Sequence, residues 1–127
     1  MDTLPELPRK LKKNESRITP IVMDWFQKNY PHDWAIEIKQ TSGNSIPKSA
    51  VKPHQLKALI AVRSEKGFKH KLSDALRQRQ PFDAFGYKKS HSFVVACFLN
   101  KGICLAIKPE EWNGANLNVS HTFSFHL

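Results

Sequence analysis

At 127 residues the chain has the length of one domain. Its 40% apolar and 24% charged residues are the proportions of a soluble globular protein. No apolar run approaches the ~20 residues that span a bilayer, and the polar, basic N-terminus lacks the apolar centre of a signal peptide, so a cytoplasmic protein with no membrane partner is expected. Twenty Lys+Arg against eleven Asp+Glu give a net charge of +9. Such an excess attracts a polyanion through counterion release. No basic amphipathic helix with a large apolar face points to a membrane surface instead, and nucleic acid is the expected partner.

Residues 1–14 read as a basic arm, with Arg9, Lys10, Lys12 and Lys13 among prolines. In the free protein this is a solvated tail; on a nucleic acid its lysines can hold phosphates. Ile18, Ile21, Val22, Trp25 and Phe26 then recur at i, i+3, i+4, i+7 and i+8, one face of a helix that ends before Pro31. Its start is open between Thr19-Pro20, a good N-cap and first position, and Asn14-Glu15, with Pro20 kinking the helix. Trp34 to Gln40 alternates apolar and polar residues as a half-buried strand, with Ile36 and Ile38 on one face and Glu37 and Lys39 on the other. Thr41 to Lys48 is a Gly/Ser/Asn loop. Pro53 opens a second helix in which Leu56, Leu59, Ile60 and Arg63 share a face, and Gly67 suits its C-terminal cap.

Past Gly67 the pattern changes to short strands: Phe68–Leu72, Phe82–Tyr87, Phe93–Leu99, Ile103–Ile107 and His121–Phe125. A hairpin across Asn100-Lys101-Gly102 would place Cys97 opposite Cys104. Two cysteines are too few for a disulfide scaffold and lack zinc-site spacing, and in a reducing compartment they are expected as buried thiols. The order of elements implies an α/β domain over residues 15–127, a mixed central β-sheet flanked by helices.

Three short segments carry candidate chemistry. In Glu37-Ile38-Lys39 the carboxylate and ammonium project from one strand face, ~7 Å apart at their roots. One could bind a divalent cation while the other meets a water or a phosphate oxygen. Exposed sheet faces carry such pairs routinely, so the pair alone is weak. Lys52-Pro53-His54-Gln55 enters the next helix, whose N-terminus can hold a phosphate. In Pro81-Phe82-Asp83-Ala84-Phe85 an acid lies between aromatics, where it needs a partner. A metal could supply one, and so could Arg77, Arg79 or Lys88. Asp74 is a second acidic candidate, although Ser73-Asp74 suits a turn. The histidines show no metal-ligand spacing, and the tryptophans suit a core better than a stacking platform.

Ala35-Ile36-Glu37-Ile38-Lys39, a loop, and Lys52-Pro53-His54-Gln55 at the next helix resemble the core of PD-(D/E)XK nucleases, most closely Holliday junction resolvases of the archaeal and RecU-like kind. The likeness covers roughly Glu15 to Leu59, and more loosely Phe68 to Trp112. It implies a restriction-endonuclease-like fold and a DNA endonuclease dependent on Mg²⁺ or Mn²⁺. In its terms Glu37 and Lys39 match the strand pair, Gln55 the helical Gln, and Glu15 the acid of the first helix. A homodimer is implied as well, since resolvases make two symmetric cuts. The chain departs from the family in one respect. The family's Asp precedes the Glu-x-Lys strand on a hairpin, for which there is no room here; only Asp24 and Asp33 lie close upstream. Asp83 is therefore expected to complete the metal site with Glu37 from a later strand. Lys10, Lys12, Lys13, Lys48, Lys52, His54, Arg77 and Arg79 are the expected nucleic-acid contacts. Two rivals share the charge: a non-catalytic nucleic-acid-binding module on the same fold, and an interaction protein for an acidic partner.

Overall fold

The computed structural model describes residues 15–72, 81–118 and 121–127, with side chains from residue 18 onward. The basic arm, Asp74, Arg77 and Arg79 lie outside the described residues, as does the side chain of Glu15.

The first helix, α1, runs Glu15–Asn29 with Pro20 inside it, so the earlier of the two starts is the observed one. Ile18, Val22, Trp25 and Phe26 on its apolar face are buried. Strand β1 is Trp34–Thr41. The segment expected as plain loop contains a short strand, β2 (Ser45–Ile46), followed by a 3-10 turn at Lys48–Ala50. The second helix, α2, runs Pro53–Arg63. Its cap is Ser64 rather than Gly67: the Ser64 hydroxyl donates to the Ala61 carbonyl at 2.8 Å and accepts the Gly67 N–H at 3.0 Å. A hydroxyl satisfies those end groups locally, and the glycine serves the next turn. On α2 the buried residues are Leu59 and Val62, while Ile60 is exposed; the apolar stripe is rotated from the expected one because the helix packs by its Leu59–Val62 side.

Strands β3 (Phe68–Lys71) and β4 (Ala84–Tyr87) pair antiparallel as a separate ribbon. The second begins two residues later than its aromatic pattern suggested, which leaves Asp83 just outside it. Strands β5 (His91–Phe98) and β6 (Ile103–Ile107) form the expected hairpin. A two-residue strand β7 (Ala115–Asn116) pairs with β2, and β8 (Phe123–His126) closes the series, shifted slightly from the expected span.

The main sheet has the order β1-β5-β6-β8. Strand β1 runs parallel to β5, with Glu37 opposite Val94 and Lys39 opposite Ala96; the remaining pairs are antiparallel. The parallel pair needs a long crossover, and α2 with the β3–β4 ribbon supplies it. Among the described residues the result is a mixed α/β fold with α1 on one face of the sheet and α2 on the other. Alternate residues of β5 enter two cores: Phe93, Val95 and Cys97 join α1 and Phe125, while Val94, Ala96 and Phe98 join Leu59, Leu105 and Trp112. A strand buried on both faces reads as an unbroken apolar run, which is what Phe93 to Leu99 shows. Trp25 and Trp112 are buried, as their aromatic bulk suggested, and Trp34 is partly buried against the α1 core.

Cys97 and Cys104 are cross-strand partners, both free and fully buried, with sulfurs 3.0 Å apart. Burial, and then the neighbouring thiol, push the Cys104 thiol well above its ordinary range. Only the thiolate reacts. Neither cysteine is expected to react with a water-soluble disulfide reagent in the native state, and both should react at once in denaturant; rapid labelling without denaturant would contradict the packing.

Gly67 adopts φ +77°, and a Cβ there would clash with the Tyr87 carbonyl oxygen. This close approach turns the chain from α2 into β3 and seats the start of the ribbon against its end. Gly67→Ala combines a left-handed backbone with a clash against a main-chain atom, and is expected to cost about 2 kcal/mol or more. Urea unfolding would measure it.

Candidate active site

Edge position decides what β1 can offer. One of its edges pairs with β5 and the other bonds to no strand of the main sheet. Trp34, Ile36 and Ile38 pack with the α1 core, and Ala35 with the α2 side. Period-two alternation therefore carries Glu37 and Lys39 to the α2 side, beside the start of that helix.

There the expected group assembles. Lys39 Nζ lies 3.3 Å from Glu37 Oε1, with side chains 21% and 28% exposed. Gln55 Nε2 donates to the same Oε1 at 3.2 Å. The Gln55 Oε1 accepts the backbone N–H of Lys52 at 3.0 Å. Gln55 is thus held at both ends. Its carbonyl closes the helix N-terminus in the manner of a capping box, which leaves its NH₂ to point at the carboxylate. Lys52 holds the N-cap position and Pro53 follows, its missing N–H costing nothing in the first turn. Both of these side-chain contacts to Glu37 fall on Oε1.

A pocket of about 240 Å³ opens beside the group, bordered by Glu37, His54 and Gln55 and walled by Leu59, Phe85 and Tyr87, and its exposed surface is almost wholly apolar. Phe85 and Tyr87 come from the β3–β4 ribbon, which stands beside the free edge of β1. A second depression of about 390 Å³ follows that edge from Thr19 and Met23 past Glu37 to the same two aromatics.

The other expected residues are placed less centrally. Lys52 and His54 are exposed at the start of α2, and Lys48 is exposed in the 3-10 turn, where its carbonyl accepts the Trp112 Nε1–H at 3.0 Å. Asp83 is exposed, immediately before β4, and its carbonyl accepts the Leu72 N–H at 2.8 Å. It is not among the residues that line either depression at Glu37, although by alternation it shares the ribbon face of Phe85 and Tyr87. Asp33 is exposed ahead of β1. Among the described residues no three His, Cys, Asp or Glu side chains come together as a metal-binding group.

Two features escaped the sequence reading. His32 and His91, far apart in the chain, stack with ring centroids 4.4 Å apart where β1 and β5 begin. Burial lowers the His91 pKa from its usual value, and His32 and Arg63 lower it further. The aromatic face of the ribbon, Phe68 and His70 opposite Tyr87 and Phe85, was the second. Its signal was present as Phe-Lys-His-Lys and Phe-Gly-Tyr, alternations whose meaning depends on knowing that the two segments pair.

No family model, curated protein or solved structure matches this chain. Among the described residues, no helix is long and apolar enough to cross a membrane.

Proposed function

We propose that the chain is a metal-dependent endonuclease acting on DNA, with a restriction-endonuclease-like core and a catalytic site built on Glu37. The observation that carries this reading is the convergence on one carboxylate of Lys39 from the same strand and Gln55 from the first turn of the next helix. These are the positions at which the Glu-x-Lys pair and helical Gln of PD-(D/E)XK nucleases fall. The order of strand, helix and parallel neighbouring strand supports it, and the +9 charge supplies an affinity for a polyanion.

A hard divalent cation suits this donor set, because it takes one or two carboxylates and keeps several waters. Glu37 would offer one carboxylate, and Asp83, at the exposed end of the ribbon, the second. Mg²⁺ or Mn²⁺ held there would supply an acidified water and charge stabilisation at the phosphoryl oxygens. Lys39 neutralises charge that develops on the phosphate during attack. Gln55 fixes the carboxylate's orientation, so that it costs no reorganisation when substrate arrives. The N-terminus of α2, with Lys52 and His54 exposed on it, holds an adjacent phosphate.

A non-catalytic nucleic-acid-binding module is the second reading. It is favoured by the Lys39 ion pair, which already balances Glu37 without a metal. Incubation of labelled four-way junction, flap, duplex and single-stranded DNA with Mg²⁺ or Mn²⁺ separates the two. Cleavage that EDTA abolishes is expected; DNA binding without cleavage in either metal would replace the nuclease with the binding module. Failure to bind DNA at moderate salt would leave an acidic protein partner. Light scattering would test the homodimer that paired cuts at a junction call for.

A further inference from the structure

We propose that the apolar pocket beside Glu37 receives one unpaired nucleobase of the bound strand, so that the substrate class is DNA with an unstacked base — a single strand, flap, gap or bulge — rather than intact duplex. The proposal rests on the DNA-binding reading above and names the substrate of that same site.

The pocket's exposed surface is almost wholly apolar, lined by Leu59 and Val62 of α2 and the rings of Phe68, Phe85 and Tyr87, with Glu37, His54 and Gln55 at its border. At about 240 Å³ it is smaller than the roughly 300–1,000 Å³ that enclose a whole drug-sized ligand, and it suits a flat ring system. A sugar–phosphate chain would not enter it, since an apolar wall cannot solvate a phosphate. A base attached to that chain could enter while its phosphate stays outside, by the exposed Lys52 and His54 at the start of α2.

The ribbon that forms the wall is two-sided. Phe68, His70, Phe85 and Tyr87 occupy one face, with His70 and Phe85 centroids 5.5 Å apart and Phe85 and Tyr87 5.6 Å apart. Lys69 and Lys71 alternate onto the other face, exposed, and Lys88 follows the ribbon exposed as well. Bases of a single strand stack on such rings, and the lysines of the opposite face add to the general positive charge without touching that strand. A B-form duplex presents no free base face, so occupying this pocket would require unstacking a base, which costs least where the base is already unpaired.

The test measures binding and cleavage separately. A duplex carrying one bulged 2-aminopurine is compared with the fully paired duplex, using Ca²⁺ in place of Mg²⁺ to hold chemistry back. The bulged duplex is expected to bind about tenfold more tightly, with quenched 2-aminopurine fluorescence as the base stacks. Phe85→Ala and Phe85→Leu should both lose most of that preference and of the quenching, Leu included because it fills space without a ring face; a retained thermal transition shows that each variant is folded. Equal affinity for paired and bulged DNA, or a preference unchanged in both variants, overturns the proposal, and would mean that another segment of the chain or a protein partner covers the pocket. Cleavage in Mg²⁺ is read on the same substrates. Preference for the bulge without cleavage would remove the nuclease reading and keep the base pocket. Equal cutting of both substrates with no quenching would keep the nuclease and remove the pocket.

Discussion

Glu37→Ala is expected to lower metal-dependent DNA cleavage by about 10²–10³-fold or more, the scale on which single electrostatic groups act on a developing charge, while the protein stays folded. Two contacts depend on this side chain, the Lys39 ion pair and the Gln55 hydrogen bond. Both partners reach solvent, so neither becomes a buried orphan. A partly exposed ion pair contributes little to stability in any case, roughly 0–1 kcal/mol. Lys39→Ala should lose activity on a comparable scale. Gln55→Ala should lose less, since Gln55 holds a carboxylate that can still be reached, and should soften the start of α2 by about 1 kcal/mol through its lost contact to the Lys52 N–H. Cleavage rates measured beside DNA affinity in Ca²⁺ would separate a chemical defect from a binding defect. Asp83→Ala decides the second carboxylate. Loss equal to that of Glu37→Ala would place Asp83 at the metal, and wild-type activity would turn attention to Asp33 or Asp74. A Glu37→Ala protein that cuts as well as the wild type would end the assignment of this site.

Phe26→Ala is expected to destabilise the fold by about 3–5 kcal/mol, a large share of the roughly 5–15 kcal/mol that holds a domain together. The ring is fully buried between α1 and the sheet. It lies edge-on to Trp25 at 5.3 Å and Phe125 at 5.8 Å, and tilted against Trp34 at 5.4 Å and Phe93 at 6.0 Å. Those neighbours come from α1, β1, β5 and β8, so one truncation removes the piece that joins the helix to three strands. Rigid rings on every side cannot collapse into the gap, and the cost should fall at the upper end of the range. A melting temperature lowered by about 10–20 °C follows from the usual entropy of unfolding, and calorimetry would measure it. A loss below about 1 kcal/mol would mean that α1 is not docked on the sheet in this way.

What could be read beforehand divides along physical lines. The α1 stripe was legible because a helix on one face of a sheet must be apolar every third or fourth residue, and its buried positions are those of the stripe. The central β5 was legible from its unbroken apolar run. Glu37, Lys39 and Gln55 were legible as a group because strand alternation puts the first two on one face of β1 and helix entry puts Gln55 in the first turn of α2, a short connection later. The ends were harder. Ser64 caps α2 through a hydroxyl whose role depends on the turn after it, and β4 begins beyond Asp83 because strand ends are set by pairing with β3.

The sequence by itself determined the periodicities, the basic charge and the local chemistry around Glu37, because each follows from spacings of a few residues along one element. Only the tertiary structure decided that β1 is an edge strand, that it runs parallel to β5, and that the β3–β4 ribbon brings Phe85 and Tyr87 to the carboxylate. It likewise set His32 on His91, and Asp83 at the exposed end of the ribbon. Those outcomes depend on which strands share hydrogen bonds and which faces pack, and such contacts join residues tens of positions apart, beyond the reach of any local pattern.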